Sequence, residues 1–186
     1  MNNIFLTSDT HFFHRNILQY CNRPFSTVEE MNDALIKNWN TVVKPNDIVY
    51  HLGDLTLSTR VELVDEILGR LNGTIRLVKG NHDKWLKKYN LLENKDKIEW
   101  IRPYNKETLG GHEIIMCHFP FLTWDGSYRG SIHCHGHAHG GNDHLNVGTK
   151  RIDVGVDAVG MKLFPIHLDD VIKYTQDGKN IDHHDL

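Results

Sequence analysis

Asp47-Ile48-Val49-Tyr50-His51-Leu52-Gly53-Asp54 and Thr74-Ile75-Arg76-Leu77-Val78-Lys79-Gly80-Asn81-His82-Asp83 repeat one arrangement. In each, a largely apolar run of strand length ends on a glycine followed by carboxylate, amide or imidazole side chains. Runs of this kind suit strands buried in a sheet core. Between them, about Thr59 to Leu71 has helical spacing, and Gly73 marks the return. Strand–helix–strand order predicts parallel pairing in an α/β sheet. Toward the N-terminus, Ile4 to Ser8 is a further short apolar run that breaks into polar residues. Ser26 and Glu29 form a capping box that predicts a helix from Ser26 to about Val43, with Met31, Leu35, Ile36 and Trp39 as its apolar stripe.

Beyond Asp83 the pattern changes. Ile98–Ile101, Glu107–Leu109, Glu113–Cys117, Ser131–Cys134, His144–Val147 and Arg151–Val154 are short strand-like runs separated by glycine-containing turns. They predict hairpins in a second sheet, mixed or antiparallel. A last helix is expected from Leu168 to about Gln176. No repeat, low-complexity tract or linker divides the sequence, so residues 1–186 are expected to form a single α/β domain with two facing sheets and helices outside.

Composition narrows the function classes. The chain has 39% hydrophobic and 24% charged residues, ordinary for a soluble domain. A net charge of −3 speaks against a broad basic face for duplex nucleic acid. The N-terminus reaches Thr7-Ser8-Asp9 too soon for a signal segment, and no apolar run approaches the roughly 20 residues that span a bilayer. Cys21, Cys117 and Cys134 have no C-x-x-C spacing, so neither a disulfide framework nor a cysteine zinc site is expected. The expected setting is cytoplasmic, without a membrane partner. Histidine is the outlier, with 14 in the chain where average usage gives about four.

The placement of those histidines carries the chemistry. Asp9-Thr10-His11, Gly53-Asp54, Gly80-Asn81-His82-Asp83, His118 and Gly136-His137-Ala138-His139 each stand where an apolar run ends. In α/β proteins, ligands sit in the loops beyond such strand ends. Carboxylate, amide oxygen and neutral imidazole together suit divalent first-row metals. Glycines before Asp54, Asn81 and His137 let the backbone turn sharply there. Singly these pieces say little, because Asp-x-His is a common pair and Gly-Asp is mostly a turn. Gly-Asn-His-Asp and Gly-His-x-His are more specific, since no turn type demands a second histidine.

Taken in order, D-x-H, G-D, G-N-H-D, H and G-H-x-H resemble the signature of the calcineurin-like metallophosphoesterase superfamily, from Asp9 to His139. The resemblance implies a four-layer αββα sandwich with two facing mixed β-sheets and a two-metal site in the loops. It implies that Asp9, His11 and His139 hold one ion, that Asn81, His118 and His137 hold the other, and that Asp54 bridges them. It sets His82 apart as the group that serves the leaving oxygen, with Asp83 orienting it. The implied reaction is phosphoester hydrolysis by in-line attack of a metal-bridging hydroxide, with Mn²⁺ expected first and Fe, Zn, Ni or Mg as alternatives.

His14 and Arg15 continue the first motif and are candidates for substrate phosphate, with Arg23, Lys79 and Arg129 behind them. Phe119, Phe121 and Trp124 follow His118 and are expected to pack under a loop rather than to stack a base. His133 and His135 are expected to be structural or to support the ligands from behind. Protein phosphatases of the superfamily carry G-D-x-x-D-R-G, whereas Gly53-Asp54-Leu55-Thr56-Leu57-Ser58-Thr59 has no arginine. That speaks against a protein phosphatase; the chain is short, and the resemblance to small members of the superfamily implies a phosphodiesterase acting on a small, nucleotide-type substrate. The alternatives are a phosphomonoesterase on the same site and a non-catalytic metal-binding interaction module. The module would be expected to have lost ligand positions that are all filled here.

Overall fold

The computed structural model describes residues 2–158 and 160–177. Strands β1 (Ile4–Thr7), β2 (Ile48–His51), β3 (Thr74–Val78), β4 (Ile98–Arg102) and the late β9 (Ile166–His167) form one sheet in the order β4-β3-β2-β1-β9. All its pairs are parallel except β1–β9. Strands β5 (Tyr104–Leu109), β6 (His112–Cys117), β7 (Ile132–His135) and β8 (Arg151–Asp153) form the second sheet in that order. Helices α1 (Ile17–Tyr20), α2 (Val28–Val42), α3 (Val61–Arg70) and α4 (Leu168–Asp177) complete the α/β architecture of two mixed sheets with helices.

The alternation of side chains along β1 to β3 divides two cores. Phe5, Val49, Ile75 and Leu77 face Met31, Leu35 and Trp39 of α2 and Val64, Ile67 and Leu68 of α3. Leu6, Tyr50, Leu52 and Val78 point the other way, against Ile114, Met116, Ile132, Cys134 and Ile152 of the second sheet. Helix α4 inserts Leu168 and Val171 into this second core beside β1, β8 and β9. Beyond the second sheet lies the segment 119–131, where the ring of Phe121 stacks on His133 at 4.9 Å and Trp124 approaches it at 5.4 Å. His133 is held in one tautomer, accepting from Phe121 N at Nε2 and donating from Nδ1 to Ile115 O. The expectation that Phe121, Trp124 and His133 are packing residues holds.

Several expected elements shift. The cap of α2 is Thr27, whose Oγ1 accepts from Glu30 N at 3.1 Å, while Glu30 reaches back to Ser26 N. Ser26–Glu29 and Thr27–Glu30 both satisfy the capping-box pattern, and the chain uses the second. Ile98–Ile101 belongs to the first sheet, parallel to β3, rather than to a hairpin. Only β5–β6 is antiparallel in the second sheet, turning at Gly110-Gly111; β6–β7 and β7–β8 are parallel and need long connections. His144–Val147 is not a strand: Asp143–Leu145 forms a 3₁₀ turn that takes in its first half, with Leu145 and Val147 exposed. What this loop buries is Asn146, whose Oδ1 accepts from Arg151 Nε at 2.6 Å.

Parallel pairing in register, Thr7 with His51 and His51 with Leu77, brings the loops after β1, β2 and β3 to one end of the first sheet. The long connections after β6 and β7 arrive at the same end, where Ser8 bridges to Gly155 just past β8.

Candidate metal centre

At that shared end the backbone is strained. Asp9, His11, Asp54, His137 and His139 all have φ between 48° and 69°, in the left-handed region that non-glycine residues avoid. Five of the seven positions expected to bind metal therefore sit in costly conformations, and such strain clusters where geometry serves a site. Glycine makes the close approaches possible. A Cβ on Gly80 would fall 2.2 Å from Asp54 Oδ1, and one on Gly136 would fall 2.3 Å from Asp9 Oδ2. The Gly136 position lets His137 N donate to Asp9 Oδ2 at 2.9 Å.

The seven side chains assemble as two groups. Ligand atoms of Asp9, His11 and His139 lie within 4.8 Å of one another, and so do those of Asp54, His118 and His137. Asn81 joins the second group, its Oδ1 being 3.0 Å from His118 Nε2. His118 donates from Nδ1 to Leu52 O at 2.8 Å, which leaves Nε2 as the nitrogen facing the group. Asp54 connects the two: its Oδ2 is 3.7 Å from His11 Nε2 and 3.4 Å from His118 Nε2. Its other oxygen accepts from His82 N at 2.7 Å.

The residues fit cations. Among the described residues, Asp9 Oδ1 and His11 Nε2 are buried without a hydrogen-bond partner, 3.8 Å apart. Buried polar atoms are nearly always paired, so orphans of complementary ligand chemistry pointing at one space call for an ion. Asp9, His11, Asp54 and His118 are buried, whereas Asn81 and His137 are exposed, so the centre opens on the side of the second group.

Protonation follows burial and neighbours. Burial raises the Asp9 carboxyl to about 7 against the pull of His118 and His139. His11 is pushed down to about 3 by burial, keeping the ring neutral as a ligand needs. Burial would raise Asp54, but the hydrogen bond and charge of His118 and the His82 N–H hold it at about 2. Burial opposes a charge on His139, yet its bonds to Asp157 and Cys21 and the charge of Asp9 raise it to about 10.

Asp157 is the residue that the motifs did not reveal. Its Oδ2 accepts from His139 Nδ1 at 2.7 Å, and both its oxygens accept from Arg23 at 2.8 Å. Arg23 also donates to the carbonyls of Asp9 and Thr10 at 2.7 and 2.8 Å. Arg23 is thus buried and fully engaged, and it is not a phosphate contact. The pair turns His139 Nε2 toward Asp9 and ties the first motif to the Asp157 loop, the carboxylate–histidine arrangement that orients metal-binding imidazoles. Cys21, half-buried, has its sulfur within 4.8 Å of His139 and Asp157.

Asp83 departs from its expected role. Oδ2 accepts from Asp54 N and Gly80 N, and Oδ1 from Leu55 N and Trp85 Nε1, at 2.8 to 3.0 Å. None of these donors is His82. The carboxylate, buried and turned inward, clasps the loops after β2 and β3, and burial with the nearby Asp54 charge pushes its pKa up against the hydrogen bonds from Gly80, Trp85 and Asp54. The ring of His82 is half-buried and lies 5.5 Å from that of His11. His14 Nδ1 is 3.3 Å from His11 Nδ1, so it sits behind the first group. Arg15 and Lys79 are exposed, and Arg129 pairs with Asp125 and lies over Tyr128.

Residues 3–157 match the model of the calcineurin-like phosphoesterase family. The chain belongs to this family. Calcineurin-like phosphoesterases bind divalent metal ions and hydrolyse phosphoesters, and this chain is a metal-dependent phosphoesterase. It is 42% identical to the uncharacterised protein MJ1445 of Methanocaldococcus jannaschii over 184 residues, covering 96% of this chain and 94% of that protein. It is 28% identical to the gene 66 protein of Mycobacterium phage L5, covering 97% of this chain and 99% of that one. Among solved structures, a protein of unknown function from Aquifex aeolicus, AQ665, superposes with a TM-score of 0.70 at 25% identity, covering 93% of this chain and 99% of that chain. Among the described residues, no helix is long and apolar enough to cross a membrane.

Proposed function

We propose that this phosphoesterase is a two-metal phosphodiesterase acting on a small, nucleotide-type diester. The observation that carries this is Asp54 Oδ2, one oxygen facing the imidazoles of both groups. In this reading Asp9, His11 and His139 would hold one ion, Asn81, His118 and His137 would hold the other, and Asp54 would be shared. Two such cations, Mn²⁺ in first place, would supply a water of lowered pKa and a positive seat for phosphoryl oxygens.

The chain's own groups do the rest. His82, fixed by its N–H to Asp54, gives a proton to the oxygen that leaves phosphorus. His14 accepts from His11 Nδ1–H, which leaves its own Nε2–H for a phosphoryl oxygen, and exposed Arg15 offers a guanidinium at the rim. The loop after Asp54 brings no clamp, because Leu55 and Thr56 are buried and Thr56 Oγ1 donates to Phe12 O. That supports a small diester over a phosphoprotein. The residues 1–186 act as one domain in this reading. The three free cysteines support a reducing, cytoplasmic setting, and the charge of −3 supports the absence of a duplex partner.

Turnover of bis-p-nitrophenyl phosphate against p-nitrophenyl phosphate, with Mn²⁺, is the test. The diester should react faster. Equal or reversed preference would refute the diesterase assignment, and no turnover of either with Mn²⁺, Fe²⁺, Zn²⁺, Ni²⁺ or Mg²⁺ would refute the site.

A further inference from the structure

Phe119 follows His118 directly, and its ring lies 5.1 Å from that of His118 and 4.7 Å from that of His137. Both neighbours meet it steeply, at 74° and 64°, so neither ring lies flat on it. It is 44% exposed. The other rings of the same segment are used differently. Phe121 is sandwiched between His133 and Tyr104, and Trp124 is tied to Ser131 O through Nε1. Of the segment's four aromatic rings, Phe121 and Trp124 are half-buried and Tyr128 is exposed beneath Arg129, so Phe119 is the exposed ring that touches the candidate metal centre. One exposed ring is ordinary on a protein surface; what sets Phe119 apart is its contact with two residues of the candidate metal centre, where its open π face can take a base.

Its position says which part of a substrate lands there. His82, the leaving-group residue in the proposed reaction, packs against His11 of the first group. Phe119 packs against His118 and His137 of the second group, on the side where Asn81 and His137 are exposed. In an in-line displacement the leaving oxygen stands opposite the attacking one, and the ester arm that stays on phosphorus projects sideways from that axis. An arm turned away from His82 reaches the flank that Phe119 occupies.

We propose that Phe119 is a stacking platform for the retained ester arm, and that this arm carries a nucleobase. The inference rests on the diesterase reading and deepens it. An open phenyl face holds any base through its π surface without reading hydrogen bonds, which gives a preference for nucleoside esters without strong base specificity.

The test compares two diesters with the same leaving group: thymidine 5′-(p-nitrophenyl phosphate) and methyl p-nitrophenyl phosphate. The Mn²⁺-loaded protein should favour the thymidine ester in kcat/KM, mainly through KM. In F119A the ratio of the two kcat/KM values should fall about tenfold, within the range that removal of one base-stacking ring produces, and F119W should restore it. A ratio unchanged in F119A would overturn the proposal. Calorimetric binding of thymidine 5′-monophosphate against methyl phosphate gives a readout that needs no turnover. The thymidine preference should again drop several-fold in F119A, and equal weakening of both ligands would overturn the assignment. If neither diester is hydrolysed, the diesterase reading fails, and the binding preference still decides the role of Phe119. If the methyl ester is hydrolysed with no preference for thymidine, Phe119 fails alone.

Discussion

Replacing Asp157 by Asn keeps the shape of the side chain and removes one charge from a carboxylate that His139 and Arg23 share. Two consequences can be sized. In the metal-free protein the carboxyl is held at about 2, because its bonds to His139 and Arg23 outweigh the opposing effect of burial. A carboxyl lowered from 3.8 to about 2 contributes stability that is present above the unfolded value and lost as pH falls toward 2, worth roughly 2 kcal/mol at neutral pH. The substitution also leaves the buried Arg23 guanidinium without its counter-charge, and breaking buried pairs costs about 3 to 5 kcal/mol. Arg23 keeps its two carbonyl acceptors, so D157N should lose roughly 2 to 4 kcal/mol in urea unfolding at pH 7. The second consequence concerns the metal. Without a carboxylate on Nδ1, His139 loses its fixed tautomer and orientation, and such partners are worth about 10- to 100-fold in metal affinity. Calorimetric titration of D157N with Mn²⁺ should show one site weakened by about that factor and the other nearly unchanged. Wild-type affinity at both sites, or a loss of less than about 0.5 kcal/mol in stability, would refute this role for Asp157. Glu99→Gln is the control, because Glu99 is the exposed partner of its pair with Arg76 and its loss should cost less than about 1 kcal/mol.

Three further outcomes follow from the same geometry. With His139 raised to about 10 and Asp9 to about 7, the metal-free first group holds about one to two protons at pH 7 that a cation must displace; Mn²⁺ affinity should therefore rise with pH from 6 to 8, and calorimetry in buffers of different ionisation heat should detect the release, whereas zero release would contradict the assigned protonation. In D83N an amide NH₂ must face two N–H donors where an oxygen now accepts both, so stability should drop by about 2 to 4 kcal/mol while the pH dependence of kcat keeps its shape; a stable D83N with a shifted acidic limb would instead restore Asp83 as the partner of His82. Gly136→Ala would set a Cβ 2.1 Å from Ser8 Oγ and 2.3 Å from Asp9 Oδ2, so Mn²⁺ affinity at the first group should fall at least about tenfold with about 1 to 3 kcal/mol of overpacking; unchanged affinity would mean that Asp9 is not held there.

The metal centre was legible because its residues lie at strand ends. Val49-Tyr50-His51-Leu52 and Leu77-Val78 announce buried strands, and parallel register then brings Asp54 and Asn81 together without further information. Local punctuation was equally readable, as at Gly110-Gly111 between β5 and β6. Other features depend on contacts that no local pattern encodes. Arg23 and Asp157 are separated by 134 positions and meet only once the β8 end has docked on β1. Asp83 stands next to His82 in sequence, which invites pairing, but the turn sends its carboxylate inward to backbone amides that sequence does not display. The run His144 to Val147 has the alternation of a strand, yet Asn146 is the residue its loop buries, because Arg151 needs an acceptor. The exposure of Phe119 likewise emerges only once Phe121 has taken the face of His133.

In the proposed two-metal site, Asp54 would be shared between the two cations. Electron paramagnetic resonance of the protein titrated with Mn²⁺ tests it most directly, because ions sharing a bridging ligand are magnetically coupled and isolated ones are not. Two equivalents should bind, with the simple spectrum of a lone Mn²⁺ replaced by a coupled signal at saturation, and Asp54→Ala should abolish the coupling. A single equivalent, or two ions that keep uncoupled spectra in the wild-type protein, would contradict the account.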